Sequence, residues 1–128
     1  MKRAIVAGAA VLSLVLPPAA DACGACIEDN VAATYDHAVV ERAAARGLVV
    51  VFASIDTRRS PQAASDGVKA AAVRVRGVDR STVRGAIAPL AISFALDPRV
   101  QAPAAALAAI EKAAGQPGLR LTLLRVVS

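Results

Sequence analysis

The sequence is poor in the side chains that build aromatic cores and closed metal sites. Its 128 residues include no Trp, one Tyr, two Phe, two Cys and one His. We therefore expect a core of small and β-branched side chains, and so few Cys and His disfavour a closed four-ligand zinc site within one chain. The basic residues occur singly or in pairs without interleaved aromatics, which argues against nucleic acid as a partner.

Motifs for common enzyme chemistry are missing as well. Asp36 and His37 adjoin each other, but no serine or cysteine at a nucleophile elbow accompanies them. There is no glycine-rich phosphate loop, no HExxH pair and no EF-hand loop. We therefore do not expect an enzyme, apart from the redox alternative considered below.

The first 22 residues have the three parts of a secretory signal. Lys2 and Arg3 supply the positive start, residues 4–16 are apolar, and Ala20-Asp21-Ala22 offers small residues to a peptidase. The apolar run is too short to span a bilayer, so we expect a periplasmic or secreted protein with no stable membrane span after cleavage. Cleavage would make Cys23 the first residue. Lipid attachment there is a weaker alternative, because the preceding residues make a poor lipobox.

The remaining chain alternates helical and strand patterns within one domain. The patterns predict a helix at 27–46, a strand at 48–55, a helix at 61–77, strands at 81–88 and 90–96, a helix at 103–115 and a strand at 119–127. The predicted class is α+β: a ferredoxin-like βαββαβ antiparallel sheet with an extra N-terminal helix. The division is signal at 1–22, cysteine motif and helix at 23–47, and ferredoxin-like domain at 48–128.

Three segments resemble heavy-metal-associated domains, the ferredoxin-like modules of copper chaperones and metal-pumping ATPases. They are residues 75–78 (VRGV), 94–100 (FALDPRV) and 106–115 (ALAAIEKAAG). The resemblance covers roughly residues 48–128 and implies a soft-metal-binding protein. In that family a CxxC motif follows the first strand, whereas here residues 56–60 (DTRRS) contain no sulfur. The family's metal ligands therefore have no counterpart in that loop.

The two cysteines stand instead at Cys23 and Cys26, as CGAC at the start of the predicted N-terminal helix. That helix and the following strand have similar lengths, so a helix packed antiparallel to the strand would return the cysteines to the end of the sheet where the family binds metal. The same helix would cover the sheet face bearing Ala91, Ser93 and Ala95. We expect this motif to be a displaced version of the family's site.

Two thiolates at this spacing suit a soft metal ion, with Cu(I) favoured. The helix N-terminus lowers thiol pKa values and so promotes the thiolate form. His37 lies too far along the helix to join the site unless the helix breaks. The expected metal ligands are therefore Cys23 and Cys26, and the expected partner is a metal-transport or metal-accepting protein.

Two other interpretations of CGAC remain open. Outside the cytoplasm such a pair tends to be oxidised, and a CxxC at a helix start resembles the active site of thioredoxin-like oxidoreductases. Those proteins place the motif after a strand, which is absent before Cys23 in the predicted mature chain. The third interpretation is a disulfide that pins the terminus, or an adaptor role.

Overall fold

The computed structural model describes the backbone of residues 21–128 and the side chains from residue 27 onward. The elements are α1 (Asp21–Thr34), α2 (His37–Ala45), β1 (Val49–Asp56), α3 (Pro61–Ala72), a 3₁₀ turn at Arg80–Thr82, β2 (Arg84–Ile87), β3 (Leu90–Leu96), α4 (Pro103–Ala114) and β4 (Arg120–Val127). The signal prediction falls on residues 1–22, of which residues 1–20 lie outside this description. It therefore stays a prediction.

The four strands form one sheet in the order β2-β3-β1-β4, and every neighbouring pair is antiparallel. Read from the other edge the order is β4-β1-β3-β2, so each helical crossover skips one strand. This is the split β-α-β arrangement of ferredoxin-like sandwiches. The predicted α+β class, with a βαββαβ antiparallel sheet, is confirmed.

Helices cover both faces of the sheet. α3 and α4 pack on one face, and α1 and α2 pack on the other. The continuous apolar run of β1 predicted burial on both sides, and its neighbours Val51 and Phe52 are 0% and 1% exposed in the two opposite clusters. The extra helical segment thus covers the face that carries Ser93 and Ala95, as predicted.

Local signals set the bounds of α3 and α4. Ser60 caps α3, since its Oγ accepts from the Ala63 amide at 3.3 Å, and Pro61 occupies the first turn. Pro103 begins α4, and Gly115 ends it at a φ of 60°, a left-handed conformation that glycine adopts without strain. These helix starts and the end of α4 match the sequence predictions.

Three predicted elements are wrong in detail. The helix expected over 61–77 ends at Ala72, because the amides of Arg74 and Val75 bond to carbonyls three residues back and form turns. The strand expected from residue 81 begins at Arg84, because Asp79 accepts from the Ser81 amide at 3.1 Å and holds Arg80–Thr82 in a 3₁₀ turn. The single helix expected over 27–46 is two helices separated at Tyr35 and Asp36. No helix in the described part of the chain is long and apolar enough to cross a membrane.

Candidate functional site

The cysteine motif lies in the N-terminal turns of α1. Cys23 and Cys26 are three positions apart in this helix, so they occupy neighbouring positions on one side of it. Their side chains lie outside the described residues. The structure therefore shows the site only through the backbone of α1 and through the contacts that attach α1 to the sheet.

The C-terminal half of α1 is anchored on the sheet by packing and one buried hydrogen bond. Val31 is 5% exposed, and the ring of Tyr35, just after the helix, stacks on Phe52 of β1 with centroids 6.0 Å apart and planes inclined by 13°. Ser93 Oγ of β3 donates to the Thr34 carbonyl at 3.0 Å. This bond satisfies a carbonyl at the end of the helix, where no intrahelical partner is available.

An ion pair attaches α1 to the edge of the sheet. The Arg125 guanidinium of β4 donates to both carboxylate oxygens of Glu28. This hydrogen bond and the attraction between the charges lower the pKa of Glu28 and raise that of Arg125. Both side chains are largely exposed, so the pair contributes more to the placement of α1 than to global stability.

These contacts define the direction of α1. Arg84, Ser93, Phe52 and Arg125 form one row across the four strands. Glu28 lies at the β4 end of this row and Thr34 lies at β3, two strands away. The helix rises about 9 Å between these residues, close to the roughly 10 Å spanned by two strand spacings. α1 therefore crosses the strands, and its N-terminal turns continue outward beyond β4.

The expected return of the cysteines to the loop after β1 is therefore wrong. That expectation required one long helix packed antiparallel to β1, whereas α1 crosses the sheet at the level of Phe52. The end of β1, Asp56, is four residues farther along the strand, about 13 Å away. Cys23 and Cys26 are thus carried toward the β4 edge and not toward the sulfur-free loop at 56–60.

Asp36 is the reason that the N-terminal helix breaks. Its Oδ1 accepts from the amides of Ala38 and Val39 at 2.9 and 3.2 Å, which caps α2, and its Oδ2 contacts Arg84 at 2.5 Å. The backbone hydrogen bond from Val39 is the largest cause that lowers the pKa of Asp36. Aspartate is a preferred N-cap residue, so Asp36 indicates in the sequence that a helix can start at His37. The helical spacing of the apolar residues on both sides of Asp36 suggested one continuous helix instead.

His37 follows the break and lies away from the cysteine motif. Its Nε2 is 2.9 Å from Glu41 Oε1 on α2, and its side chain is 74% exposed. Between Cys26 and Thr34 alone, α1 rises about 12 Å. The break therefore does not bring His37 to the cysteines. Among the residues with described side chains, no cluster of three His, Cys, Asp or Glu could hold a metal ion.

A pocket of about 230 Å³ lies between α2 and the 3₁₀ turn. Val39, Ala43 and Ala95 form its apolar floor, and the ion pair of Arg46 and Asp79 at 2.9 Å lies at its rim. The side-chain hydrogen bond from Ser81 is the main cause that lowers the pKa of Asp79. Sequence reasoning missed this pocket, because its walls come from segments 33 residues apart.

The fold is an α+β sandwich in which α1, the helix that contains the cysteine motif, lies across one face of the sheet. No family model, curated protein or solved structure matches this chain. The likeness to heavy-metal-associated domains consequently rests on the sequence segments described above.

Proposed function

We propose that this chain is an exported protein that binds a soft metal ion, Cu(I) in the first place, through Cys23 and Cys26. The observation that carries the proposal is the placement of both cysteines, three positions apart, in the first turns of a helix whose other half is anchored on the sheet. An anchored helix holds two ligands at a constant spacing, which reduces the entropy lost when a metal binds.

The helical spacing suits a bridging metal. Residues three apart in a regular helix have Cβ atoms about 5–6 Å apart, and two thiolates at this separation can reach opposite sides of one ion. The free amides at the start of the helix further favour the thiolate form.

Location and partners form part of the same proposal. The charged start, apolar stretch and small-residue cleavage site support export to the periplasm or the outside of the cell. The cysteines lie in the part of α1 that extends past the sheet, so a metal-accepting or metal-donating protein would approach them from the β4 side. The proposed role is metal carriage or handling and not catalysis.

The test is an anaerobic titration of the reduced protein, recovered after export, with Cu(I) in competition with a chromophoric chelator. Mass spectrometry first establishes whether the recovered chain begins at Cys23. We expect one equivalent of Cu(I) per chain to resist the chelator and Cys26→Ser to abolish this binding. His37→Ala is the matched control, because it removes the chain's one imidazole from a position remote from the cysteines.

Two results would contradict the proposal. One is the absence of copper uptake by a reduced chain that retains both cysteines. The other is copper binding that Cys26→Ser leaves unchanged. If the reduced chain does not bind copper, and the two cysteines cycle between dithiol and disulfide with an oxidising reduction potential, the redox interpretation replaces the metal-binding one.

A further inference from the structure

The two edges of the sheet differ in how well they are protected. β2 forms one edge and has four residues, whereas β4 forms the other and has eight. Short edge strands offer few free backbone groups, while long ones can accept another strand. On β4, Leu123 and Val126 are 41% and 40% exposed, so an apolar side-chain surface accompanies a backbone edge that no described strand pairs with.

β4 has few of the features that usually prevent pairing at an edge. Its sequence, RLTLLRVV, has no Pro, Lys or acidic residue, and the charge of Arg125 is compensated by Glu28. Two protective features are present: the exposed charge of Arg120 at the start of the strand, and a register shift opposite Phe52 and Ala53 in its middle. Such a bulge disrupts the ladder of hydrogen bonds locally. We therefore expect pairing at this edge to be weak and to need a high protein concentration.

α1 extends beyond this edge, and no strand in the described part of the chain lies beneath it there. From Glu28 back to Cys23, the first residue of the predicted mature chain, the helix rises about 7 Å, which exceeds one strand spacing. Ile27 belongs to the same helical stripe as Val31, four residues later, yet Ile27 is 37% exposed while Val31 is 5% exposed. The stripe that packs on the sheet thus continues past the sheet, where a further strand would fit underneath.

We propose that this strand is β4 of a second copy of the chain, added antiparallel to form a continuous eight-stranded sheet. A two-fold axis at the junction places the α1 of each copy above the β4 of the other copy. The same symmetry therefore gives both overhanging helices a strand to pack on. Pairing centred on Leu123 sets Leu123 opposite its own copy, the bulged residues Leu124 and Arg125 opposite Thr122, and Arg120 opposite Val127. No two arginines then face each other directly.

The same pairing brings the two α1 helices close together. The bulge takes up one residue, so the two rows that run through Arg125 are offset by two strand positions, about 7 Å. Helices usually pack at interaxial distances of about 8–10 Å, so the two α1 helices would run antiparallel on one face of the joined sheet and diverge slightly from these rows. Both cysteine motifs would then lie at the junction, although the pairing itself requires no metal.

Sedimentation velocity of the protein recovered after export, reduced and metal-free, tests this pairing between about 5 and 500 µM. We expect the mass to rise from one copy to two across this range. Leu123→Lys places two ammonium groups beside the two-fold axis and should shift the midpoint at least tenfold upward, as should Val126→Lys. Ile87→Lys is the matched control, because Ile87 is equally exposed, at 42%, but lies on the opposite edge strand.

The double variant Cys23→Ser, Cys26→Ser separates this inference from the proposed metal binding. We expect it to dimerise like the parent chain, whether or not copper binding is found. A monomer throughout the concentration range overturns the inference. So does a dimer that Ile87→Lys breaks and Leu123→Lys does not, or one that needs the cysteines. Circular dichroism of each variant establishes that a loss of dimer does not reflect unfolding.

Discussion

The two faces of the sheet are built differently. Among the residues with described side chains, the face under α3 and α4 carries a cluster of fourteen buried residues, whereas the face under α1 and α2 carries seven. Each face contains one of the chain's two phenylalanines, Phe94 on the first and Phe52 on the second. The first face therefore supplies most of the hydrophobic stabilisation, and the second holds the cysteine-bearing helix with less apolar burial.

Specific contacts compensate for the smaller cluster on the α1 and α2 face. Three of them connect the helical segment to three strands: Ser93 to the Thr34 carbonyl, Arg84 to Asp36, and Arg125 to Glu28. On the opposite face, α3 and α4 pack against each other as well as on the sheet. The comparison indicates that α1 can be loosened without unfolding the rest of the domain.

The largest expected effect comes from truncation of the two phenylalanines. Phe94→Ala should cost about 3–5 kcal/mol of unfolding free energy, a large part of the total for a domain of this size. Phe52→Ala should cost about 3 kcal/mol, because the smaller cluster collapses more easily around the cavity. Urea denaturation measures both values, and hydrogen exchange should show α1 exposed in Phe52→Ala while α3 and α4 stay protected.

Equal loss of protection in all four helices of Phe52→Ala would contradict this comparison. It would mean that the two faces form one cooperative unit. A smaller cost for Phe94→Ala than for Phe52→Ala would reverse the assignment of the main core.

A smaller effect is expected from Ser93→Ala, which removes the buried hydrogen bond to α1. The loss should be about 1 kcal/mol, the usual net contribution of such a bond. Thr122→Ala, an exposed hydroxyl on β4, is the control and should change stability by less than about 0.5 kcal/mol. An unaltered unfolding free energy in Ser93→Ala would show that Thr34 finds another donor or that the bond contributes nothing.

Acid should have the smallest effect, and it should act first on the α1 and α2 face. Glu28, Asp36 and Asp79 have lowered pKa values in the folded chain, so their contribution is present above their unfolded pKa values and is lost as pH falls through the folded ones. Below about pH 4, amide protection in α1 and α2 should therefore decline before that in α3 and α4. Asp79→Asn should make this decline shallower, and an unchanged pH profile would count against the role of Asp79.

Much of the fold followed from local patterns in the sequence. Ser60-Pro61, Pro103 and Gly115 mark helix bounds through local chemistry, and the period-two pattern of 90–96 predicted β3 within its observed bounds. The order of elements then leaves few ways to pair four strands, because crossover connections favour one hand. The antiparallel α+β sandwich was therefore predictable.

The placement of the candidate site was not predictable in the same way. Helical periodicity alone cannot report a break at Asp36, since the apolar stripe continues across it from Val31 to Val39. The direction of α1 depends on contacts between residues 59 and 97 positions apart, Ser93 with Thr34 and Arg125 with Glu28. A comparison of helix and strand lengths takes no account of these contacts. The position that it predicted for the cysteines, at the end of β1, was therefore wrong.

X-ray absorption at the copper edge tests the central claim, that Cys23 and Cys26 are the ligands, most directly. The protein, recovered after export and loaded with one equivalent of Cu(I), should give a first coordination shell dominated by sulfur. Cys26→Ser should not retain the copper, so that any copper left in its sample lacks this sulfur shell, and His37→Ala should leave the shell unaltered. A shell of nitrogen and oxygen alone, or a sulfur signal that persists unchanged in Cys26→Ser, would contradict the account.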